Sequence, residues 1–157
     1  MNDAALREHL SKLLDWQDAH ASFDTAVDGL APELRGRVPD GLPYSPWQLV
    51  EHLRITQDDI LDFSRNSEYG EKKWPHDYWP RSPEPPSPQA WDESVAAFRA
   101  DRAALQRMAA DPAVDLFARI PHGEGQTYLR ELLLVADHTA YHVGQLVLVR
   151  RLLGAWE

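Results

Sequence analysis

No cysteine occurs among the 157 residues, so disulfides, thiolate metal sites and a cysteine nucleophile are excluded together. Any metal must then be held by His, Asp or Glu. Basic residues are also scarce: 16 Lys and Arg face 25 Asp and Glu, a formal charge of -9. Such a surface repels phosphate backbones and anionic lipid, which argues against nucleic-acid and membrane partners. No uninterrupted apolar run approaches the ~20 residues needed to span a bilayer. The opening Met1-Asn2-Asp3 lacks the basic-then-apolar layout of a secretion signal, so a cytoplasmic protein is expected. Neither a phosphate-cradling glycine loop nor a serine elbow is present.

What the chain does have is helical periodicity, and its length suits one domain spanning residues 1–157 with a real core. Four helices are predicted, near residues 2–30, 45–66, 88–110 and 127–153. The first carries Leu6, Leu10, Leu13, Ala21, Val27 and Leu30 as its apolar stripe, with His20 on or beside it. The second and third open on Ser45-Pro46 and Ser87-Pro88, a capping hydroxyl followed by a proline whose missing N–H does no harm in the first turn. The fourth is apolar on nearly every side, the pattern of the most buried helix, and Gly154 follows it as a C-cap. Residues 67–87 hold Pro75, Pro80, Pro83, Pro85 and Pro86 with Trp74, Tyr78 and Trp79 between them. That proline density excludes a helix or central strand, and aromatics are costly to leave in water. The segment therefore reads as an ordered crossover strapped along the bundle, so the second and third helices need not be antiparallel neighbours. A second irregular link covers 112–126. The fold class expected is all-α, a four-helix bundle with a long crossover between helices two and three.

Chemistry concentrates on histidine. His138 and His142 are four residues apart, so at about 100° per residue both rings share one helix face. His52 lies on the apolar face of the second helix, and two ligands from one helix with a third from another form a facial triad. Three core histidines satisfied by hydrogen bonds, with no ion, fit these residues equally well. A zincin is disfavoured because Thr139 stands where that motif has its glutamate. His20, Tyr141 and Gln145 are candidate pocket residues, His20 also as a proton carrier, and Asp137 could orient a histidine or face another helix. His122 is 16 residues before His138, about 24 Å along a helix axis, too far to join. His9 and His76 read as surface residues, and the tryptophans as core and crossover anchors.

Several stretches together resemble the DinB/YfiT-like superfamily of metalloenzymes. They are His20-Ala21-Ser22-Phe23; Ser45-Pro46-Trp47-Gln48-Leu49-Val50-Glu51-His52-Leu53; Tyr78-Trp79-Pro80; Trp91; Ala136-Asp137-His138-Thr139-Ala140-Tyr141-His142-Val143-Gly144-Gln145; and Arg150-Arg151-Leu152-Leu153-Gly154-Ala155-Trp156. The resemblance implies a four-helix bundle with one nickel, zinc or iron ion on His52, His138 and His142, and often a homodimer. It further implies activity with a low-molecular-weight thiol, as in mycothiol-dependent isomerases and bacillithiol S-transferases. Hydrolysis by metal-bound water, or non-catalytic binding of a metal or small ligand, are the competing expectations. Thr139 stands where close relatives commonly have Asn, a change expected to spare ligation and alter a neighbouring hydrogen bond.

Overall fold

The computed structural model describes residues 3–157, and its described residues form five α-helices and no strand. They are α1 (Ala4–Leu13), α2 (Phe23–Val27), α3 (Pro46–Arg65), α4 (Ala90–Ala110) and α5 (Tyr128–Leu152), with a 3-10 turn at Pro32–Leu34. The expected all-α class is observed. α3 packs on α4 and α5, and α1 packs on α4 and α5 in turn, which closes four helices into a ring. α2 lies against α5.

Local chemistry explains most of the boundaries. Ser45 accepts from the Gln48 amide at 3.2 Å while the Gln48 side chain accepts from the Ser45 amide at 3.1 Å, a reciprocal capping box with Pro46 in the first turn. Thr127 caps α5 through the Arg130 amide, and Gly154, at φ +68°, takes the left-handed conformation that ends it. The Ser87-Pro88 start is displaced. Ser87 does accept from the Ala90 amide, but regular helix begins only at Ala90.

The long first helix expected over 2–30 is not continuous. It stops at Leu13 and resumes at Phe23, and its expected start at Asn2 lies outside the described residues. Ser22 supplies the second start by accepting from the Thr25 amide. Two of the acids near the break, Asp15 and Asp24, turn inward to the buried Arg102 of α4, at 2.9 and 2.6 Å. An unbroken helix could not present both to one guanidinium. His20 falls in the break and is exposed, so it leaves the stripe on which the periodicity put it.

The crossover is ordered and runs backwards along α3. The Pro83 carbonyl accepts from Ser45, the Pro80 carbonyl from Gln48, and the Tyr78 carbonyl from His52, while Tyr69 and Lys72 reach Asp59. The chain thereby returns to the end at which α3 began, and α4 runs parallel to α3: Trp47 and Leu53 share a cluster with Trp91 and Phe98, Leu61 another with Leu105. Trp74 departs from the expected anchoring, since 69% of it is exposed.

Two apolar clusters fill the interior, one around Trp47, Trp91, Phe98 and Leu146, the other around Leu61, Leu105, Leu116 and Leu132. Between them every long element changes character: α3 carries His52, Thr56 and Gln57, α4 carries Arg102, and α5 carries His138 and His142. α5 is also less buried than its composition implies. Leu133, Tyr141, Leu148 and Leu152 stand 45–64% exposed along one side. An 18-residue window within its 25 residues has a mean hydropathy of 1.3, enough by length and composition to cross a membrane, although its apolar residues never form the uninterrupted run sought in the sequence. In this structure the helix is packed into the bundle, with a third of that window buried.

Arg102 ties α4 to both sides of the break. Replacing it with Met would strand two partly buried carboxylates and lower the stability of the metal-free protein by about 2–4 kcal/mol. Urea unfolding should show this as a lower midpoint with little change in slope.

Candidate metal centre

His52 sits two turns into α3, and His138 and His142 near the middle of α5, facing it. One ring nitrogen from each lies within 4.8 Å of the other two. The rings pack edge to face, with centroids 4.4–5.0 Å apart. His52 is essentially buried, His142 is buried and His138 half-buried.

The other ring nitrogens decide what this cluster presents. His52 Nδ1 lies 2.8 Å from the Tyr78 carbonyl oxygen, which can only accept, so Nδ1 carries the proton. His142 Nδ1 donates to Gln145 Oε1 at 2.7 Å. His138 Nδ1 faces the Thr56 hydroxyl at 3.4 Å, and that hydroxyl already donates to the His52 carbonyl at 2.8 Å, leaving its oxygen to accept. Each Nδ1–H is thus occupied, and each Nε2 keeps a lone pair aimed inward. His52 Nε2 and His138 Nε2 stand 3.2 Å apart, a contact between two lone pairs unless a cation lies between them. Two imidazole nitrogens on one tetrahedral ion, with bonds of ~2.0–2.1 Å, are separated by about 3.3–3.4 Å. The residues present therefore fit a divalent ion such as zinc, nickel or iron, all of which accept imidazole.

Burial keeps these rings neutral. Loss of solvation pulls the His138 pKa down to about 3, helped by the neighbouring His142 and His52. Loss of solvation likewise pulls His52 down to about 4; the Tyr78 carbonyl opposes the shift and His142 adds to it. His142 is lowered by the same burial, partly offset by Gln145. The crossover walls the site: Trp79 stacks on His52 with centroids 3.7 Å apart and planes within 7°, and Tyr44 stacks on the far side of Trp79 at 4.2 Å.

The remaining candidates fall into place around this centre. Gln145 holds His142. Tyr141, 64% exposed, packs edge-on against His142 at 4.9 Å, and its hydroxyl accepts from Gln145 at 3.3 Å. Asp137 is exposed and orients none of the three rings; Tyr78, Thr56 and Gln145 do that. His20 lines a different cavity of about 200 Å³ at the break between α1 and α2. Its far wall is Ala136, Thr139, Ala140 and Val143, roughly 140° around α5 from the ligand face, so His20 is not placed to carry protons for the triad. Nor does Thr139, standing on that wall, hold a ring of the triad. His122 Nε2 donates to the Phe63 carbonyl, away from the triad, and His9 and His76 are exposed, as expected. Thr56 and Asp59 were not anticipated. Their spacing from His52, four and seven residues, was the available signal, since it puts all three on one face of α3.

The family model described as the DinB superfamily matches residues 15–146, which takes in every residue of the triad. This chain belongs to the DinB superfamily. No curated protein and no solved structure is a significant match. Superfamily membership and the three convergent nitrogens agree on a DinB-type centre that could hold a metal ion.

A pH dependence follows. Rings neutral in the fold but with ordinary pKa values near 6.5 when unfolded contribute stability that is complete above pH ~6.5 and is lost as pH falls toward the folded values. In chelator, unfolding free energy should fall between pH 7 and pH 5 by about 2 kcal/mol for each ring that stays neutral over that interval, read as a lower melting temperature. A His138→Gln variant should show a shallower fall; an equally steep one would contradict the assignment.

Proposed function

We propose that this DinB-superfamily protein is a metal-dependent enzyme that transfers a low-molecular-weight thiol to an electrophilic small molecule. The observation that carries the reading is the set of three inward Nε2 lone pairs, each with its Nδ1 already engaged. We assign the ligands as His52, His138 and His142. An ion held by three neutral donors keeps its full charge and lowers the pKa of a thiol or water that binds it. Among the described residues no carboxylate joins the three nitrogens. The ion's charge would turn either a bound thiol or a bound water into the nucleophile. The resemblance favours thiol transfer over a hydrolase, with thiols of the mycothiol or bacillithiol type as the class it implies. Tyr44, stacked on the outside of Trp79, supplies an apolar wall, and Gln145 a polar edge, against which a small substrate can lie.

The same reading includes a homodimer. The exposed residues Leu133, Tyr141, Leu148 and Leu152 follow one side of α5, with the small residues Ala140 and Gly144 between them. A second copy is the occupant proposed for this stripe. Light scattering should give twice the 17.9 kDa chain mass, and Leu148→Glu should return it to one; a monomeric native protein removes this part.

Untagged protein purified without chelator should contain about one equivalent of a divalent ion. His52→Ala, His138→Ala or His142→Ala should each lose most of it. Metal-loaded protein should consume a cellular thiol in the presence of a halogenated or epoxide electrophile, and His142→Ala should not. Equal turnover by the two proteins would show that the chemistry is not that of the triad. Metal binding without turnover of any thiol, electrophile or ester would leave a binding protein instead.

A further inference from the structure

Asp59 is buried on α3, seven residues beyond His52, on the same face of the helix and about 10 Å along its axis. It touches none of the three histidines. Its carboxylate instead takes three donors from the crossover: Tyr78 Oη at 2.7 Å on Oδ2, with Tyr69 Oη at 3.1 Å and Lys72 Nζ at 3.0 Å on Oδ1. Tyr78 has two attachments to α3. Its hydroxyl donates to Asp59, and its own backbone carbonyl receives the His52 Nδ1 proton. The residue thus lies along the helix between the carboxylate and the ring. Trp79, which follows it, is stacked on that ring. On the far side the crossover is tied down again by Gln48 at Pro80 and by Ser45 at Pro83.

We infer that Asp59 is a positioning residue for the metal centre, holding the Tyr78 carbonyl where it fixes both the tautomer and the orientation of the His52 ring. The inference rests on the metal-site reading but concerns a residue outside the triad. A carbonyl in an irregular segment has no helix or sheet to set its position. The two ties at Pro80 and Pro83 fix only the stretch after Tyr78, and the Asp59 bond fixes the other side. A charge-assisted O–H bond to a carboxylate is among the stronger ties available, and this one is shielded from water. Lys72 balances the carboxylate, so Asp59 is not left as an uncompensated buried charge. If Tyr78 shifts, His52 Nδ1 loses its acceptor, the proton is free to move to Nε2, and the lone pair needed for an ion is withdrawn.

The test uses the full chain in four variants, Asp59→Asn, Tyr78→Phe, the double change and Tyr69→Phe, read in two ways. In metal-free protein, long-range proton–nitrogen NMR reports the tautomer of His52. In a separate measurement, chelator competition gives the dissociation constant for zinc alone. The wild type should show a single Nδ1–H tautomer. Asp59→Asn and Tyr78→Phe should each mix the tautomers and weaken zinc binding about tenfold. The double variant should be no worse than Tyr78→Phe, because both changes cut one link. Tyr69→Phe, which removes a hydroxyl lying beside both Asp59 and Tyr78 but keeps the Tyr78–Asp59 bond itself, should leave tautomer and zinc affinity unchanged even where it lowers the melting temperature. Wild-type tautomer and affinity in Asp59→Asn would overturn the inference, as would equal losses in Tyr69→Phe, which would mark general loosening. Should the wild type bind no zinc through the triad, the metal-site reading falls, while the tautomer of His52 still decides the role of Asp59.

Discussion

The structure depends on keeping three imidazoles neutral, buried and pointed at one another. Each half of that requirement is met by a different part of the chain. Burial comes from the helices: α3 and α5 bring the rings together at the seam where one apolar cluster gives way to the next. Orientation comes from acceptors that are unlike one another, a crossover carbonyl, a threonine hydroxyl and a glutamine amide. A ring lacking its acceptor would be free to turn its proton inward, and one protonated nitrogen in so small a cluster would repel a cation that the other two attract.

That seam also explains why the crossover must be ordered. A parallel pair such as α3 and α4 cannot be joined by a tight turn, so the chain has to travel back along the bundle. Prolines make that return path extended and deny it a competing helix, while leaving carbonyls without amide partners in the segment itself. Three of those carbonyls, from Tyr78, Pro80 and Pro83, are taken by side chains of α3. The ties that satisfy an irregular strap are therefore the same ties that set one of the three clustered histidines. A segment whose proline content reads only as a connection becomes part of the centre.

Much of this was legible from residue spacing. His138 and His142 announce themselves by a one-turn separation, His52 by its place on an apolar face, and α3 by Ser45-Pro46. What stayed hidden has a common cause: it depends on tertiary partners rather than on the local pattern. The break between α1 and α2 keeps helical spacing of its apolar residues, and only Arg102, some eighty residues on, draws Asp15 and Asp24 to one point. Asp59 reads as an ordinary acid on a solvated helix until the crossover covers it. Gln145 is recognisable as a neighbour of His142, but its task of holding Nδ1 requires the rotamer, not the sequence. The apolar composition of α5 indicates burial, yet a bundle of this size has one flank of that helix to spare.

The placement of charge bears on the chemistry. The chain carries nine more acids than bases, yet none of them enters the triad among the described residues. The buried carboxylates are committed elsewhere: Asp59 to Lys72 and two tyrosines, Glu131 to Arg130. Asp15 and Asp24, partly buried, share Arg102. A carboxylate ligand would spend part of an ion's charge before any substrate arrived, whereas imidazole nitrogens donate without neutralising it. A low-dielectric wall of Trp79 and Tyr44 weakens screening on one side of the rings. An acidic protein has thus set aside a small uncharged enclosure, and an ion held there would direct its attraction at the next anion to bind, the property a thiolate acceptor needs.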